Sequence, residues 1–188
     1  MIINQQTIIK DTDPKIREKS LPVQLPLSKE DEALMKDLYT YVKESIDPDI
    51  AEAKDLRPAV GISAIQVGIN KQMCAVVCTD IDKDGNEINY EYCLVNPKII
   101  SSSIQKAYLA NGEGCLSVED DHKGYVYRSA RIKVKGFDTL TNKEITIRAQ
   151  GFLAIVLQHE IDHFSGTLYY DHISKNDPFM KNDDAIEI

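Results

Sequence analysis

The segment from Phe152 to Phe164 reads FLAIVLQHEIDHF, with an almost wholly apolar first half and two histidines four residues apart. This length and composition predict a buried helix, which Gly166 is placed to end. Residues four apart share a helix face, so His159 and His163 can bind one metal ion, and Glu160 beside them can reach a metal-bound water. A buried histidine pair needs partners, because an unpaired polar group in a core costs about 1–3 kcal/mol. A metal ion supplies that partner.

The rest of the chain predicts an α+β fold, with mostly antiparallel strands around this central metal-binding helix. Ser28, with Asp31 three residues on, predicts the start of an N-terminal helix packed outside, which Asp47-Pro48 ends. Residues 1–188 are expected to form a single catalytic domain. From about residue 177 the chain is expected to form a polar tail, with a composition typical of mobile segments. Short β-branched or aromatic runs predict strands at Met73–Cys78, Tyr92–Val95, Tyr125–Val134 and Glu144–Ile147, with turns at Asp84-Gly85-Asn86, Asn96-Pro97 and Thr141-Asn142.

The charge and composition of the chain argue against several classes of protein. The net charge of −8 argues against nucleic acid or an anionic membrane as the main partner, although a local basic patch, such as one of Lys133, Lys135 and Arg148, remains open. The longest apolar runs fall far short of the roughly 20 residues that span a bilayer, and no signal-peptide pattern is visible. The four cysteines form no disulfide framework. A cytoplasmic protein that does not bind membranes is expected.

A catalytic metal site needs a third protein ligand. One protease pattern, H-E-x-x-H-x-x-G-x-x-H, fails because Tyr169 stands in place of the third histidine. A second protease class uses a later glutamate, and here that is Glu187 in the polar tail. Cys115 is a further candidate, since neighbouring glycines allow close backbone approach and its thiolate would complete a compact site. From the residues alone the third ligand stays open.

Three blocks of sequence together resemble the signatures of peptide deformylases. They are Gly61–Gly68 (GISAIQVG), Glu113–Ser117 (EGCLS) and Gln158–His163 (QHEIDH), in the order and spacing of that family. The long insert between the first two blocks is similar to the longer version found in Gram-positive bacteria. Ala59 stands where the first signature usually opens with a glycine. The resemblance covers roughly residues 57 to 173.

The resemblance implies an enzyme that removes the N-formyl group from the N-terminal methionine of newly made proteins. Its partners would be nascent N-formylmethionyl polypeptides near the ribosome, with no direct contact with nucleic acid. It implies one divalent metal ion, Fe²⁺ in cells, with Zn²⁺, Ni²⁺ or Co²⁺ as substitutes in vitro. The alternatives are a metallo-endopeptidase that shares the metal helix and a catalytically silent metal-binding relative.

The same resemblance assigns roles to individual residues. The metal ligands would be Cys115, His159 and His163. The catalytic groups would be the Glu160 carboxylate as general base, with the Gln66 side-chain amide and the Leu116 backbone N–H as donors to the developing oxyanion. The predicted substrate-binding residues are Val60, Gly61, Gly114 and Tyr125, with Ile155 in the methionine pocket.

Residues 80–91 also fit the calcium-loop pattern, from Asp80 to Glu91. That loop normally joins two helices, whereas the flanks here predict strands. We therefore expect an acidic hairpin turn, and the sequence does not decide whether it binds a cation.

Overall fold

A five-stranded antiparallel sheet lies at the centre of the computed structural model, which describes residues 1–81 and 84–188. The strands along the chain are β1 (Gly61–Ser63), β2 (Met73–Ile81), β3 (Glu87–Ser102), β4 (Lys106–Tyr108), β5 (Arg128–Ser129), β6 (Arg131–Asp138), β7 (Lys143–Gln150) and β8 (Ile186–Glu187). The large sheet has the order β1-β2-β3-β6-β7, so β1 and β7 are its edges. A small sheet of order β5-β4-β8 lies beside it. The predicted α+β class with mostly antiparallel strands is confirmed.

The helices are α1 (Lys29–Ser45), α2 (Pro48–Lys54) and α3 (Gly151–Asp162). Successive side chains of β2 point to opposite faces of the sheet, and α1 packs on one face and α3 on the other. Met73, Ala75 and Val77 pack with α1, whereas the alternate residues Cys74 and Val76 pack with α3. The predicted outer N-terminal helix is thereby confirmed.

Helix α1 begins as the sequence predicts. Ser28 is its N-cap, and the Ser28 hydroxyl accepts a hydrogen bond from the Asp31 N–H (3.1 Å). Its buried stripe contains Leu34, Leu38, Tyr41 and Val42. Ile46, which follows at helical spacing, caps the helix and is 49% exposed.

Helix α3 is buried on most sides, with residues 153–158 all buried. The α-helix ends at Asp162, before the predicted end at Phe164. His163–Ser165 then continue the chain as a 3-10 turn. Gly166 ends that turn in the left-handed conformation (φ 70°). His163 therefore remains on the helical path, one turn after His159.

Two predicted elements differ in the structure. The predicted strand Tyr125–Val134 is divided, because β5 pairs with β4, Ala130 donates its N–H to Gln105 O, and β6 begins only at Arg131. The predicted turn at Asn96-Pro97 is instead a bulge inside β3, where the register shifts between Val95 and Lys98 and Asn96 adopts φ 51°. An asparagine in the left-handed conformation followed by a proline is compatible with either a turn or a bulge.

Helix α2 and strand β8 have no counterpart in the predicted elements. Asp47 not only follows α1 but also caps α2, since its carboxylate accepts hydrogen bonds from the Asp49 and Ile50 N–H groups. In the polar tail, Ile186 and Glu187 pair in parallel with Ala107 and Tyr108.

Within the calcium-loop pattern, Asp82 and Lys83 lie outside the described residues, while its flanks form the antiparallel pair β2 and β3, with Ile81 opposite Glu87. Among the described helices, none combines the length and apolar character that crossing a bilayer requires.

Candidate metal centre and active site

The structure brings Cys115, His159 and His163 together, although they come from distant parts of the chain. One ligand atom of each lies within 4.8 Å of the others, and Cys115 Sγ is 3.5 Å from His163 Nε2. Helix α3 positions the two imidazoles, and the loop after β4 positions the thiol. All three side chains are buried or nearly so, at 6% exposure for Cys115 and 1% for His163.

This donor set fits a divalent transition metal. One thiolate and two imidazoles leave a fourth position open in a tetrahedral site. Glu113 Oε2 lies 2.8 Å from His159 Nδ1, which turns the other ring nitrogen of His159 toward the cluster. Such carboxylate–histidine pairs fix the ring orientation of metal-binding histidines.

The thiol of Cys115 differs from the other three in the chain. Burial acts to raise the pKa of Cys115, but His163 and His159 outweigh it by charge and hydrogen bonding and lower the pKa to about 5. Burial instead raises the pKa of Cys78 and of Cys93 to about 12. Of the four, Cys115 is the thiol that its surroundings favour as a thiolate ligand.

Glu160 lies beside the metal ligands with its carboxylate buried at 4% exposure. The Ser63 hydroxyl donates a hydrogen bond to Glu160 Oε2 (2.7 Å). Burial raises the pKa of Glu160, against the opposing charges of His159 and His163. A raised pKa makes this carboxylate a stronger proton acceptor than an ordinary glutamate.

Gly61 makes room for this carboxylate. A Cβ at residue 61 would lie 2.5 Å from Glu160 Oε1 and 2.9 Å from Glu160 Cγ, both closer than atoms can approach. Gly114, across the cavity, has no atom within 4 Å of such a Cβ. The two glycines therefore meet different steric requirements.

Gln66 is oriented by the backbone of β1. The Ser63 N–H donates a hydrogen bond to Gln66 Oε1 (2.8 Å), which directs the amide nitrogen toward Cys115 Sγ (3.4 Å) and Ser117 Oγ (3.3 Å). Leu116 directly follows the cysteine, and its N–H donates no hydrogen bond within the described part of the chain. The Leu116 N–H is thus available beside the ligand cluster, whereas the Gln66 amide nitrogen lies there with long hydrogen bonds to Cys115 and Ser117.

A cavity of about 320 Å³ opens over these groups. Val60, Gly61 and Gly114 line it, as do the apolar residues Phe152 and Ile155 of α3. Tyr125, predicted to bind substrate, is not among its lining residues. Its ring packs instead against Tyr108 and Phe179, with centroids 4.6 and 5.4 Å away.

Sequence reasoning missed the charged network behind the ligands. Arg128 donates hydrogen bonds to both oxygens of Glu113 (2.5 and 2.9 Å) and to Asp162 (2.8 Å), and the side chains of Arg128 and Glu113 are each 4% exposed. Arg57 also lines the cavity, and its guanidinium donates to the carbonyl of Cys115 (3.4 Å). Glu113 lies in the second signature block, Glu113–Ser117, whereas no motif in the sequence indicated a role for Arg128 or Arg57.

Taken with the fold, this arrangement defines a class, the metal-dependent amide hydrolases. Residues 5–179 match the model of the polypeptide deformylase family. The chain is 48% identical to peptide deformylase 2 of Geobacillus stearothermophilus over 100% of its own length and 99% of that protein's, and 46% identical to peptide deformylase 2 of Bacillus subtilis over the same shares. The crystal structure of peptide deformylase from Ehrlichia chaffeensis matches with a TM-score of 0.71 at 30% identity, covering 94% of this chain and 90% of that one.

The chain therefore belongs to the polypeptide deformylase family. It is a metal-dependent enzyme that removes the formyl group from the N-terminal methionine of newly synthesised proteins, as the resemblance implied. Neither the endopeptidase nor the silent relative is better supported.

Proposed function

We propose that deformylation takes place in the cavity over α3, with Cys115, His159 and His163 as the metal ligands. The observation that carries this proposal is that the three ligand atoms lie within 4.8 Å of one another and that two of the ligands, Cys115 and His159, line the same cavity as the buried Glu160. The chain then acts as a single catalytic domain, because residues of both β1 and α3 line that cavity.

The native metal is proposed to be Fe²⁺, with Zn²⁺, Ni²⁺ or Co²⁺ able to replace it in vitro. A thiolate with two imidazoles suits several of these ions, so the proposal for iron rests on the family resemblance. When bound, the ion would act as a Lewis acid and lower the pKa of a water toward 7.

Glu160 is proposed to be the general base. Its carboxylate lies in the cavity next to both histidines, and burial raises its pKa, so it can accept a proton from the attacking water and later deliver it to the departing amine. The hydrogen bond from Ser63 holds one carboxylate oxygen and leaves the other toward Gly61 and the cavity.

Gln66 and Leu116 are proposed to stabilise the oxyanion. As water attacks the formyl carbon, negative charge develops on the formyl oxygen. The Gln66 amide nitrogen and the Leu116 N–H lie beside Cys115 and can donate hydrogen bonds to that oxygen. One such donor is commonly worth about 2.7–4 kcal/mol of transition-state stabilisation.

The substrate peptide is proposed to bind as an extended strand beside β1. β1 is an edge of the large sheet, and the preceding residues Pro58–Val60 line the cavity, as do Leu109 and Gly112–Gly114. Backbone groups of Val60, Gly61 and Gly114 can pair with the peptide by strand addition. Ile155 and Phe152 offer apolar surface to the methionine side chain. The substrates in the cell are proposed to be nascent polypeptides near the ribosome in the cytoplasm.

Formate release from formyl-Met-Ala-Ser tests the activity directly. N-acetyl-Met-Ala-Ser and a peptide with only internal amide bonds serve as competing substrates, and metal content is measured on the same sample. Release from the formylated peptide alone, at a rate proportional to bound metal, is expected. Cleavage of the internal-bond peptide would instead support the endopeptidase alternative.

The ligand set is tested with the Cys115→Ala variant. It should lower the metal content of the purified protein, whereas Cys78→Ala, which removes a buried thiol outside the cluster, should leave it unchanged. Full occupancy and unchanged affinity in Cys115→Ala would mean that the third ligand lies elsewhere.

A further inference from the structure

Five exposed cations share one face of the large sheet, although the chain contains 30 acidic and 22 basic residues. We call this set the basic face, and its members are Lys98 on β3, Arg131, Lys133 and Lys135 on β6, and Arg148 on β7. Glu144 lies among them and pairs with Lys135 (2.9 Å). The basic face therefore differs from the average surface of this acidic protein.

Strand register creates this concentration of charge. Lys133 lies directly opposite Arg148, and Lys98 lies directly opposite Lys135. Like charges directly opposite each other destabilise a sheet. Within the described residues neither Lys133 nor Arg148 forms a salt bridge, so no ion pair there offsets their repulsion. An anionic partner would offset it.

A groove at one end of the basic face has the donors that phosphate groups require. Its volume is about 410 Å³, and Arg131, Lys133 and Arg148 line it together with Ser101–Ser103 and Gln150. Tyr90, Ile132 and Ala149, which pack on the α3 side of the sheet, also contribute to its wall. No carboxylate is among the described residues that line this groove. Cations, hydroxyls and amides are the groups through which proteins contact nucleic-acid phosphates.

The basic face lies on the side of the sheet away from the active site. The alternate residues Ile132, Val134 and Ile147 of the same strands point the other way and pack against α3. Helix α1 packs over β2, and the cations of β6 and β7 stay exposed. A large anion can therefore bind the basic face while the cavity over α3 remains open to a peptide.

We propose that the basic face binds the phosphate backbone of a nucleic-acid duplex. A duplex fits better than a single strand, because single-strand sites use exposed aromatic rings for stacking, and Tyr90, the aromatic residue of the groove, is half-buried and packs toward α3. This departs from the expectation drawn from net charge, which averages over the whole surface. The proposal concerns a binding surface separate from deformylation, so either can fail alone.

The test compares two variants of equal net charge, both as metal-loaded full chains. The first combines Arg131→Glu, Lys133→Glu and Arg148→Glu. The second, a matched control, reverses three exposed lysines outside the basic face: Lys19→Glu, Lys29→Glu and Lys175→Glu. A milder variant, Lys133→Gln with Arg148→Gln, removes charge without introducing new repulsion. Formate release from formyl-Met-Ala-Ser verifies that each variant is folded.

Binding is measured by fluorescence anisotropy with a labelled duplex RNA over a salt series. We expect the wild type to bind, with affinity that falls as salt rises by roughly 0.9 log units per log unit of salt for each phosphate contacted. The charge-reversal variant should bind at least about tenfold more weakly at low salt with a shallower slope, and the control should change by less than about threefold.

Three results would overturn the proposal. The wild type could fail to bind the duplex at low salt, or the charge-reversal variant and its control could lose affinity equally. The third result concerns lipid, because β3 also exposes Ile99 and Ile100, which could enter a bilayer. Flotation with phosphatidylserine vesicles, without binding to RNA, would assign the basic face to an anionic membrane instead.

Discussion

The space beside the Glu160 carboxylate exists because residue 61 has no side chain. A methyl group there would overlap Glu160 Oε1 at 2.5 Å, and the carboxylate could not move freely, since Ser63 holds its other oxygen. Gly61→Ala should therefore lower kcat for formate release by at least about tenfold, as expected when a catalytic group is displaced by about an ångström. Metal content should be unchanged, because His159 and His163 are not in the path of the new methyl group.

Gly114→Ala is the matched control for that substitution. A Cβ at residue 114 meets no atom within 4 Å, so the free enzyme should keep its fold, its metal and its kcat. If the peptide passes this residue, KM should rise. A fall in kcat equal to that of Gly61→Ala would show that the steric argument for Gly61 is insufficient.

Replacing the Glu160 carboxylate with an amide isolates its role in proton transfer. Glu160→Gln keeps the shape and can still accept the Ser63 hydrogen bond, but it cannot take a proton from water. Turnover should fall by about 10²–10⁴-fold with metal content unchanged. Glu119→Gln, at an exposed position in the loop after Cys115, is the control and should have no effect. A Glu160→Gln enzyme with near-normal turnover would exclude Glu160 as the base.

How far a residue's role could be predicted depends on how local its contacts are. His159, Glu160 and His163 share one turn of helix, so their relation follows from spacing alone. The contact of Cys115 with His163 joins positions 48 residues apart, and only the resemblance to a family supplied it. The ion pair of Arg128 with Glu113 joins positions 15 residues apart, and its burial arises from packing that the sequence pattern does not encode.

At the scale of elements, the C-terminal strand β8 supports the segment that presents Cys115. The Ile188 N–H donates to Tyr108 O (2.9 Å), the Ala110 N–H donates to Ile188 O (3.1 Å), and the Tyr108 hydroxyl donates to Glu187 (2.6 Å). These bonds hold β4 just before the loop to the metal ligand. The tail therefore has a structural connection to the active site that its polar composition does not reveal.

Removing Ile186–Ile188 should loosen this segment. We expect amide hydrogen exchange at residues 108–115 to accelerate and metal affinity to fall, because opening of the loop competes with metal binding. Glu187→Gln is the control, since it retains the backbone bonds and should give a smaller effect. Unchanged exchange at 108–115 in the truncated protein would mean that β8 is dispensable for the loop.

The elements that were poorly predicted from the sequence contain residues that are typical of more than one local structure. Asn96 and Pro97 are typical turn residues, yet the Asn96 side chain bonds both the N–H and the carbonyl of Val23 (2.8 Å each) and stabilises a bulge within β3. Asp47 and Pro48 are typical both of a helix end and of a helix start. From the sequence they were interpreted only as the end of α1, whereas in the structure they also begin α2. Helix α1, with its capping signal and apolar stripe, and helix α3, with its continuous apolar run before the histidines, were predictable.

Across the whole molecule, the metal site joins two parts of the chain that also meet through packing and through the hydrogen bond between Glu113 and His159. One ligand comes from the loop after β4, whose support includes the C-terminal strand, and two come from α3 in the core between the sheet and the cavity. A bound ion therefore links regions that must separate when the protein unfolds. Its contribution to stability should depend on the free metal concentration.

Metal removal should accordingly lower the melting temperature of the entire chain. An ion present at about 1,000 times its Kd stabilises the native state by about 4.1 kcal/mol. At roughly 2–4 °C per kcal/mol for a protein of this size, the melting temperature should fall by about 8–16 °C on chelation, as measured by calorimetry. Cys115→Ala should abolish most of this metal-dependent shift, whereas Cys78→Ala should keep it even if its starting temperature is lower. An equal shift in both variants would place the stabilising ion outside the Cys115 site.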